Sequence, residues 1–307
     1  MKYASIVTAT NEVLSQYSTR LTVRQIYYRL ISPPFQLFEN LAKNYKNFDR
    51  LLTKARENDD VDWERIEDRA RTTIGGDKGY DGTEDYVDNM LYIDGDNYTR
   101  KMWEDQPEYI EVWVEKDALA ALVSNAAEGF RVLTFPTRGY SSFTGVMQAI
   151  ERFADLDENK RITVLHFTDH DPSGLNMKDD LARRLNEYGE GNVRIIRPAL
   201  TFEQVQAMGL APNPTKKADS RTPAYAAQYG DQCWELDAML PDELQRIIKE
   251  AISTHIDAER WQRTLDRIER ERKAITTVIE TEKGAMQELK ARMVQAINNR
   301  CKEGATP

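Results

Sequence analysis

Apolar side chains recur every three or four residues in the first part of the chain, which is the spacing of one face of a helix. The pattern predicts three short helices, over residues 4–16, 22–31 and 39–58. In the second helix, Tyr27 falls on the buried stripe, whereas Tyr28 turns about 100° away from it and lies one turn beyond Arg24. Three short helices with tight turns predict a helix-turn-helix or winged-helix module over residues 1–75.

The pattern changes at residue 109 to short apolar runs that alternate with segments of helical spacing. The predicted strands are YIEVWVE, RVLTFPT, RITVLHFTD and NVRIIRP. This alternation predicts an α/β domain over 109–200, with a parallel, doubly wound sheet and right-handed crossovers.

Two further segments flank this predicted sheet. Residues 57–108 are acidic and rich in Asp and Gly, and they look like a wing or hairpin followed by a connecting helix near 83–104; the acidic linker with this helix is predicted over 76–108. A loop and a helical extension follow over 201–307, where apolar residues at irregular three- and four-residue steps predict one or two long amphipathic helices from about 241 to 300.

Composition narrows the class of protein. The 307 residues include 40% apolar residues, enough for a real core, without an apolar run or leader that suggests a membrane span or secretion. The two cysteines lie too far apart for a disulfide framework or a cysteine-based zinc site. These features predict a soluble protein of the cytoplasm that has no membrane partner.

The net charge of −9 is distributed unevenly, which changes the expectation about partners. Residues 1–56 hold nine Lys or Arg against three Asp or Glu, whereas residues 57–111 hold six against eighteen. The third predicted helix carries four basic residues on the face opposite its apolar residues: Lys43, Lys46, Arg50 and Lys54. These four side chains are predicted to contact the phosphates of double-stranded DNA, although a merely solvated helix face has the same pattern.

Acidic residues follow two of the predicted strands. Glu115 ends the first strand, and Asp169 and Asp171 follow the third, where the carboxyl edge of a parallel sheet binds ligands. Three carboxylates form a hard oxygen site that suits Mg²⁺. The alternatives are a turn or helix-capping role for the two aspartates and a surface charge for Glu115; His166 and His170 are expected to pack or form hydrogen bonds.

Three motifs now suggest a family. VEKD at 114–117 and DHDPSG at 169–174 resemble the Toprim domain of topoisomerases, primases and some nucleases. Together with VRQIYYRL at 23–30, they resemble the A subunit of DNA topoisomerase VI and the related meiotic double-strand-break transesterase. The segment from 220 to 244, SRTPAYAAQYGDQCWELDAMLPDEL, resembles short bacterial and phage versions of that family.

The resemblance implies a function and a role for each residue. Tyr28 would attack DNA to form a 5′-phosphotyrosyl bond, while Arg24 would hold the scissile phosphate. Asp169 and Asp171 would bind Mg²⁺, and Glu115 would ligate the ion or handle protons. In the family, each tyrosine meets the metal of the partner chain in a homodimer, and two such sites cut both strands.

The expected activity is therefore that of a type IIB topoisomerase A subunit: Mg²⁺-dependent cleavage of double-stranded DNA, with or without rejoining. Family members work with a separate ATPase subunit, whose motifs this sequence lacks; such a partner stays an open alternative. The protein would be nucleoid-associated or encoded by a phage or plasmid. Two other functions stay open, a Toprim nuclease that hydrolyses DNA with water and a non-catalytic DNA-binding protein.

Overall fold

A computed structural model describes residues 2–17, 19–67, 80–189, 193–216 and 218–303 of the chain. The chain divides into two compact units. One unit comprises Met1–Arg71 and Pro107–Ile256, and the other comprises Thr72–Gln106 and Asp257–Pro307. The predicted α/β class is confirmed, because helices accompany a parallel sheet. The winged-helix and Toprim types and the domain boundaries stay predictions.

The regular elements in chain order are α1 (Tyr3–Ser15), β1 (Leu21–Thr22), α2 (Val23–Ile31), α3 (Ala42–Glu57), β2 (Ile66–Glu67), α4 (Thr83–Leu91), β3 (Glu108–Val114), α5 (Ala120–Glu128), β4 (Leu133–Pro136), α6 (Phe143–Ala154), β5 (Arg161–Phe167), α7 (Pro172–Tyr188), β6 (Val193–Ile196), α8 (Phe202–Met208), β7 (Asn213–Pro214), α9 (Thr222–Tyr229), β8 (Gln232–Cys233), α10 (Pro241–Ser253) and α11 (Ala258–Glu303). Short 3-10 turns lie at Trp63–Arg65, Asp117–Leu119 and Leu236–Ala238. No helix in the described ranges is long and apolar enough to cross a bilayer.

The first three helices pack around one apolar cluster, as their spacing predicts. The cluster includes Ile26, Tyr27, Phe48 and Leu52, all nearly inaccessible to solvent. α2 starts where the side chain of Thr22 accepts a hydrogen bond from the backbone N–H of Gln25, and the side-chain oxygen of Gln25 accepts one from the backbone N–H of Thr22. This capping box satisfies amide groups that the first turn would otherwise leave unpaired. β1 and β2 form a short parallel pair, and the segment in which a wing was expected lies partly in 68–79, outside the described residues.

The four predicted strands of the α/β segment form one parallel sheet in the order β4-β3-β5-β6. α6 and α7 pack together over one face, where Trp113, Val164 and Leu185 form an apolar cluster. α5 connects β3 to β4 and packs against α10. The right-handed crossover rule places α5 on the opposite face, because β4 and β5 lie on opposite sides of β3. The carboxyl ends of β3 and β5 are therefore neighbours.

A later segment returns to the end of this sheet. β7 and β8 form an antiparallel pair, and Trp234 directly after β8 exchanges two backbone hydrogen bonds with His170. Their N···O distances are 2.8 and 3.0 Å. The chain between Cys233 and Asp237 is thus fixed beside the loop that follows β5.

The second unit contains α4 and α11, which pack on each other. The prediction of a helix over 83–104 is wrong in its extent, because α4 ends at Leu91. The following residues include Gly95, where an added Cβ would lie 2.5 Å from the Thr276 hydroxyl of α11. The Asp94 side chain accepts hydrogen bonds from the backbone N–H of Asp96 and from the Asn97 side chain, so these residues form a turn instead of continuing the helix. The long helices predicted between 241 and 300 are confirmed as α10 and α11.

Candidate functional site

A cavity of about 450 Å³ in the first unit brings together four of the predicted catalytic and metal-binding residues. Arg24 and Tyr28 of α2 line it, as do Asp169 and Asp171 from the loop after β5. The helical module and the sheet therefore contribute to the same cavity within a single chain. Glu115 lies next to Asp169 but does not line the cavity itself.

Tyr28 is buried, and its hydroxyl is held by a side chain that the sequence did not identify. The residue is only 1% exposed, yet it lies outside the apolar cluster that contains Tyr27. Its Oη accepts a hydrogen bond of 3.0 Å from Nδ2 of Asn213. Burial and the charge of Glu235 raise the pKa of Tyr28 to about 12, against the opposing effects of Asn213, Arg24 and Lys116.

Arg24 lies beside Tyr28, as the helical spacing predicts. Its guanidinium carbon is 5.9 Å from the centre of the Tyr28 ring, since residues four apart are neighbours on a helix. The guanidinium forms an ion pair with Glu235, and its Nε lies 3.8 Å from Oδ2 of Asp237. The Arg24 side chain is still 42% exposed, so a phosphate can approach it.

The predicted carboxylates lie where the parallel register of the sheet places them. Val114 pairs with Phe167, so Glu115 directly follows its strand at the level where the loop after β5 begins. The backbone N–H of Asp169 donates a 3.0 Å hydrogen bond to Oε2 of Glu115. This bond ties the two strand ends together.

Asp171 has the capping role that was one of the alternatives. Its Oδ1 accepts a 2.6 Å hydrogen bond from the backbone N–H of Gly174 and caps α7. The turn is so tight that a Cβ on Gly174 would lie 2.2 Å from the carbonyl oxygen of Asp169. The cap leaves Oδ2 of Asp171 without a hydrogen bond from any described residue. Capping and ligand binding are therefore compatible at this residue.

Lys116 forms a cluster with three carboxylates at this site. Nζ of Lys116 is 3.1 Å from Asp169, 2.9 Å from Glu235 and 3.0 Å from Asp237. Asp237 is 2% exposed, and its Oδ1 has no hydrogen-bond partner within the described part of the chain. The three negative charges are thus offset by Lys116 together with Arg24.

Burial raises the pKa values of two carboxyl groups at the site, and the neighbouring carboxylates add to the effect. Burial, with the charges of Glu115 and Asp237, raises the pKa of Asp169 to about 7, although Lys116 opposes the shift. Burial also raises the pKa of Glu115, and the charges of Asp171 and Glu235 add to this effect. Both shifts mean that a further cation would stabilise the ionised carboxylates.

The donor chemistry fits Mg²⁺, but the three predicted ligands are not arranged around one point. Among the described residues, no three acidic, histidine or cysteine side chains form a group that could hold a metal ion. Asp169 is occupied, because Oδ1 accepts from the Leu236 N–H and Oδ2 pairs with Lys116. Oε1 of Glu115 and Oδ2 of Asp171 receive no hydrogen bond from the described residues and are the oxygens open to a cation.

The predicted DNA-binding face of α3 is exposed to solvent. Lys43, Lys46, Arg50 and Lys54 are all exposed, and none forms an ion pair with a described residue. Lys46 also lines the cavity, together with Lys216 from the loop after β7. The basic face and the cavity therefore adjoin at Lys46.

The histidines pack, as expected. His170 lies among the rings of Phe202, Tyr225, Tyr229 and Trp234. Its Nδ1 is 2.7 Å from the hydroxyl of Tyr225, which in turn donates to the His170 carbonyl oxygen. The Tyr225 hydroxyl thus accepts from Nδ1–H, and the aromatic cluster supports the loop that carries Asp169 and Asp171.

Sequence reasoning missed four residues at the site: Asn40, Asn213, Glu235 and Asp237. Glu235 and Asp237 stand two apart in WELD, the same spacing as Asp169 and Asp171 in DHD. That repeated spacing, in a segment already associated with the family, was the one available signal.

Comparison with family models, curated proteins and solved structures finds no match to this chain.

Proposed function

We propose that the protein is a Mg²⁺-dependent DNA transesterase that cuts double-stranded DNA with Tyr28 as the nucleophile. The observation that supports this proposal most directly is the shared cavity. A tyrosine, an arginine and two carboxylates from separate parts of the chain line it together. Phosphoryl transfer requires an aligned nucleophile and groups that neutralise charge, and this combination of residues can supply both.

The reaction needs no cofactor beyond the metal ion. Oη of Tyr28 loses its proton to water and bonds to phosphorus, while the bond from phosphorus to the 3′ oxygen breaks. The 3′ oxygen takes up a proton as it leaves, so the phosphodiester is exchanged for a 5′-phosphotyrosyl ester and no water is consumed. The same exchange in reverse rejoins the strand.

The residues around Tyr28 have distinct roles in this scheme. Arg24 binds the scissile phosphate, which then replaces Glu235 as the partner of its guanidinium. Glu115 and Asp171 would hold Mg²⁺ through their open oxygens, and Asp169 would join them if Lys116 moved. The ion would supply positive charge to the phosphate oxygens.

The basic face of α3 would carry the DNA. Lys43, Lys46 and Arg50 are exposed and lack ion-pair partners within the described ranges, so phosphates can neutralise them. Replacing Lys43 and Arg50 with Gln should weaken duplex binding and reduce the slope of log affinity against log salt by about 2. Lys249→Gln, which changes an exposed lysine on α10, is the control. An unchanged salt slope would exclude this face from DNA binding.

The test of the activity uses supercoiled plasmid, Mg²⁺ and purified protein, stopped with detergent and analysed with and without protease. Tyr28→Phe and Asp169→Ala are the variants. We expect linear or nicked DNA linked to protein, absent with Tyr28→Phe and strongly reduced with Asp169→Ala. A linear product requires two sites, and for this reason we include a homodimer in the proposal. A separate ATPase subunit would be needed only for strand passage.

A hydrolytic nuclease is the second candidate. The burial of Tyr28 and its raised pKa of about 12 favour it, because both oppose attack by a phenolate. In that case cleavage survives Tyr28→Phe, requires Asp169 and leaves no protein on the DNA. DNA binding without cleavage of any DNA form would instead favour a non-catalytic DNA-binding protein.

A further inference from the structure

We propose that Asn213 is a positioning residue for the hydroxyl of Tyr28 and that Asn40 holds Asn213 in the orientation this requires. The inference deepens the proposed function and rests on it, because it assigns a role around the same nucleophile. The three side chains form a continuous hydrogen-bonded chain. Nδ2 of Asn40 donates to Oδ1 of Asn213 at 2.9 Å, and Nδ2 of Asn213 donates to Oη of Tyr28 at 3.0 Å.

The direction of this chain is fixed at its far end. Nδ2 of Asn40 also lies 2.9 Å from the carbonyl oxygen of Pro212, which can only accept a hydrogen bond. The Asn40 group that faces Pro212 and Asn213 must therefore be the amide NH₂. It follows that Asn213 presents its oxygen to Asn40 and its NH₂ to Tyr28.

The backbone around Asn213 is stiff as well. Pro212 and Pro214 flank it on both sides, and each ring restricts its own backbone dihedral. Asn213 also pairs with Cys233 in the short antiparallel ladder of β7 and β8. The donor is thus held in place before any DNA binds.

A donor at this position has a chemical consequence. Because Oη of Tyr28 accepts from Asn213, its own proton points elsewhere and remains available for removal. The Asn213 N–H stays in place as negative charge develops on the phenol oxygen, and a hydrogen bond to the charged form favours that form. Asn213 thereby aims the oxygen and stabilises it during attack.

Three charged groups also affect the ionisation of Tyr28, and they act in opposite directions. Glu235 disfavours the phenolate, whereas Arg24 and Lys116 favour it. Arg24 and Lys116 are themselves paired with Glu235, so their net effect on Tyr28 is reduced. Asn213 is the neutral group in this set, and its contribution does not depend on those ion pairs.

The experiment measures the rate of Tyr28-linked product between pH 6.5 and 9.5 for four variants. Asn213→Asp keeps the shape of the side chain but removes the donor, and Asn213→Ala removes both. Asn40→Ala and the double variant Asn40→Ala with Asn213→Ala test the chain of hydrogen bonds. Asn11→Ala is the control, because it removes an asparagine that donates to the Asp60 carbonyl oxygen at an exposed position.

We expect Asn213→Ala and Asn213→Asp to slow product formation about 10- to 100-fold at pH 7.5 and to shift the rising limb of the pH profile upward. Asn40→Ala should have a smaller effect in the same direction. The double variant should be no slower than Asn213→Ala, since both residues act through one hydrogen bond. The thermal unfolding midpoint and DNA affinity should match those of Asn11→Ala.

Three results would overturn the inference. The first is an unchanged rate in the Asn213 variants. The second is a slower rate with an unshifted pH profile and a lowered unfolding midpoint, which indicates a structural role alone. The third is additivity of the two alanine substitutions. A wild-type protein that forms no Tyr28-linked product at all would instead remove the proposed function, and the inference with it.

Discussion

Lys116 is the single residue on which the arrangement of the site most depends. Its ammonium lies within 3.1 Å of oxygens from three carboxylates, and its side chain is 21% exposed. A buried charge cluster becomes strongly unfavourable when one partner is removed, because the remaining charges stay desolvated and unpaired. The ammonium therefore holds together segments that lie far apart in the sequence.

We expect Lys116→Met to lower the free energy of unfolding by about 2–4 kcal/mol in the absence of divalent ions. Added Mg²⁺ should restore part of this loss, because Asp169, Glu235 and Asp237 become free to bind a cation. The measurement is urea unfolding with EDTA and with increasing Mg²⁺.

Lys249→Met, at an exposed lysine without an ion pair among the described residues, is the matched control. It should change neither the unfolding free energy nor its response to Mg²⁺. Equal Mg²⁺ responses in wild type and Lys116→Met would argue against a shared cation position.

The lowered pKa of His166 makes the stability of the folded protein depend on pH. Burial, with the nearby charge of Arg197, lowers the pKa of His166 to about 4 from 6.5. Neither ring nitrogen has a hydrogen-bond partner within the described residues. Between pH 6.5 and 4 the unfolded chain therefore binds a proton that the folded protein does not, and stability falls as the pH falls.

Replacing His166 with Met, an apolar residue of similar size, should remove this contribution. Between pH 7 and pH 5, wild type should lose about 2 kcal/mol more unfolding free energy than His166→Met. At pH 7 the variant should be as stable as wild type or more stable, because no hydrogen bond is lost. Urea unfolding at the two pH values checks both expectations, and identical pH dependence in the two proteins would refute them.

At the scale of the elements, the start of α7 is the most constrained junction. Gly174 lies in its first turn, and an added Cβ would lie 2.2 Å from the backbone oxygen of Asp169. We expect Gly174→Ala to cost about 1–3 kcal/mol of stability and to displace the loop that carries Asp169 and Asp171. The proposed DNA cleavage should be lost well below the denaturation temperature.

Gly129→Ala provides the comparison for this prediction. Gly129 follows α5 with an ordinary φ of −61°, and an added Cβ there meets no atom within 4 Å. This substitution should leave stability unchanged or raise it by up to about 1 kcal/mol. If the two variants unfold at the same temperature, the close approach at Gly174 does not control the junction.

The sequence predicted elements well wherever a local pattern determines them. The apolar spacing located α1, α2 and α3 to within three residues, and the strand ends placed Glu115 and Asp169 at one edge. The residues of the site that the sequence did not predict are brought there by contacts between distant parts of the chain. Leu236 donates to Asp169 across 67 positions, and Asn213 reaches Tyr28 across 185. No periodicity links residues so far apart, and the burial of Tyr28 depends on that same packing.

At the scale of the whole molecule, the shared cavity predicts that Tyr28 and the carboxylates of one site belong to the same chain. The family resemblance implies that Tyr28 meets the carboxylates of a partner chain. The structure instead lines one cavity with Tyr28 and Asp169 of the same chain. If cleavage uses this arrangement, every chain carries its own complete site, and a partner copy supplies only the second cut.

A mixture of Tyr28→Phe and Asp169→Ala chains tests this arrangement. Neither chain has a complete site of its own, so the mixture should cleave no more than the Asp169→Ala chain does alone, even after unfolding and refolding together. Wild type mixed with Tyr28→Phe should still nick plasmid. More nicked DNA attached to the Asp169→Ala chain in the mixture than in that chain alone would show that the site is assembled between two chains.

The bridge between His170 and Trp234 determines how the cavity can open. Two backbone hydrogen bonds join these residues, so the segments that carry Asp169, Asp171 and Glu235 are tied to each other through the backbone. On the opposite side of the cavity, Arg24 of α2 contacts Glu235 through its side chain, and Asn40, just before α3, contacts Pro212 through its side chain. Side-chain contacts exchange partners more easily than a backbone ladder, so in the proposed function we expect the DNA strand to enter along α2, where side-chain contacts join the two sides of the cavity.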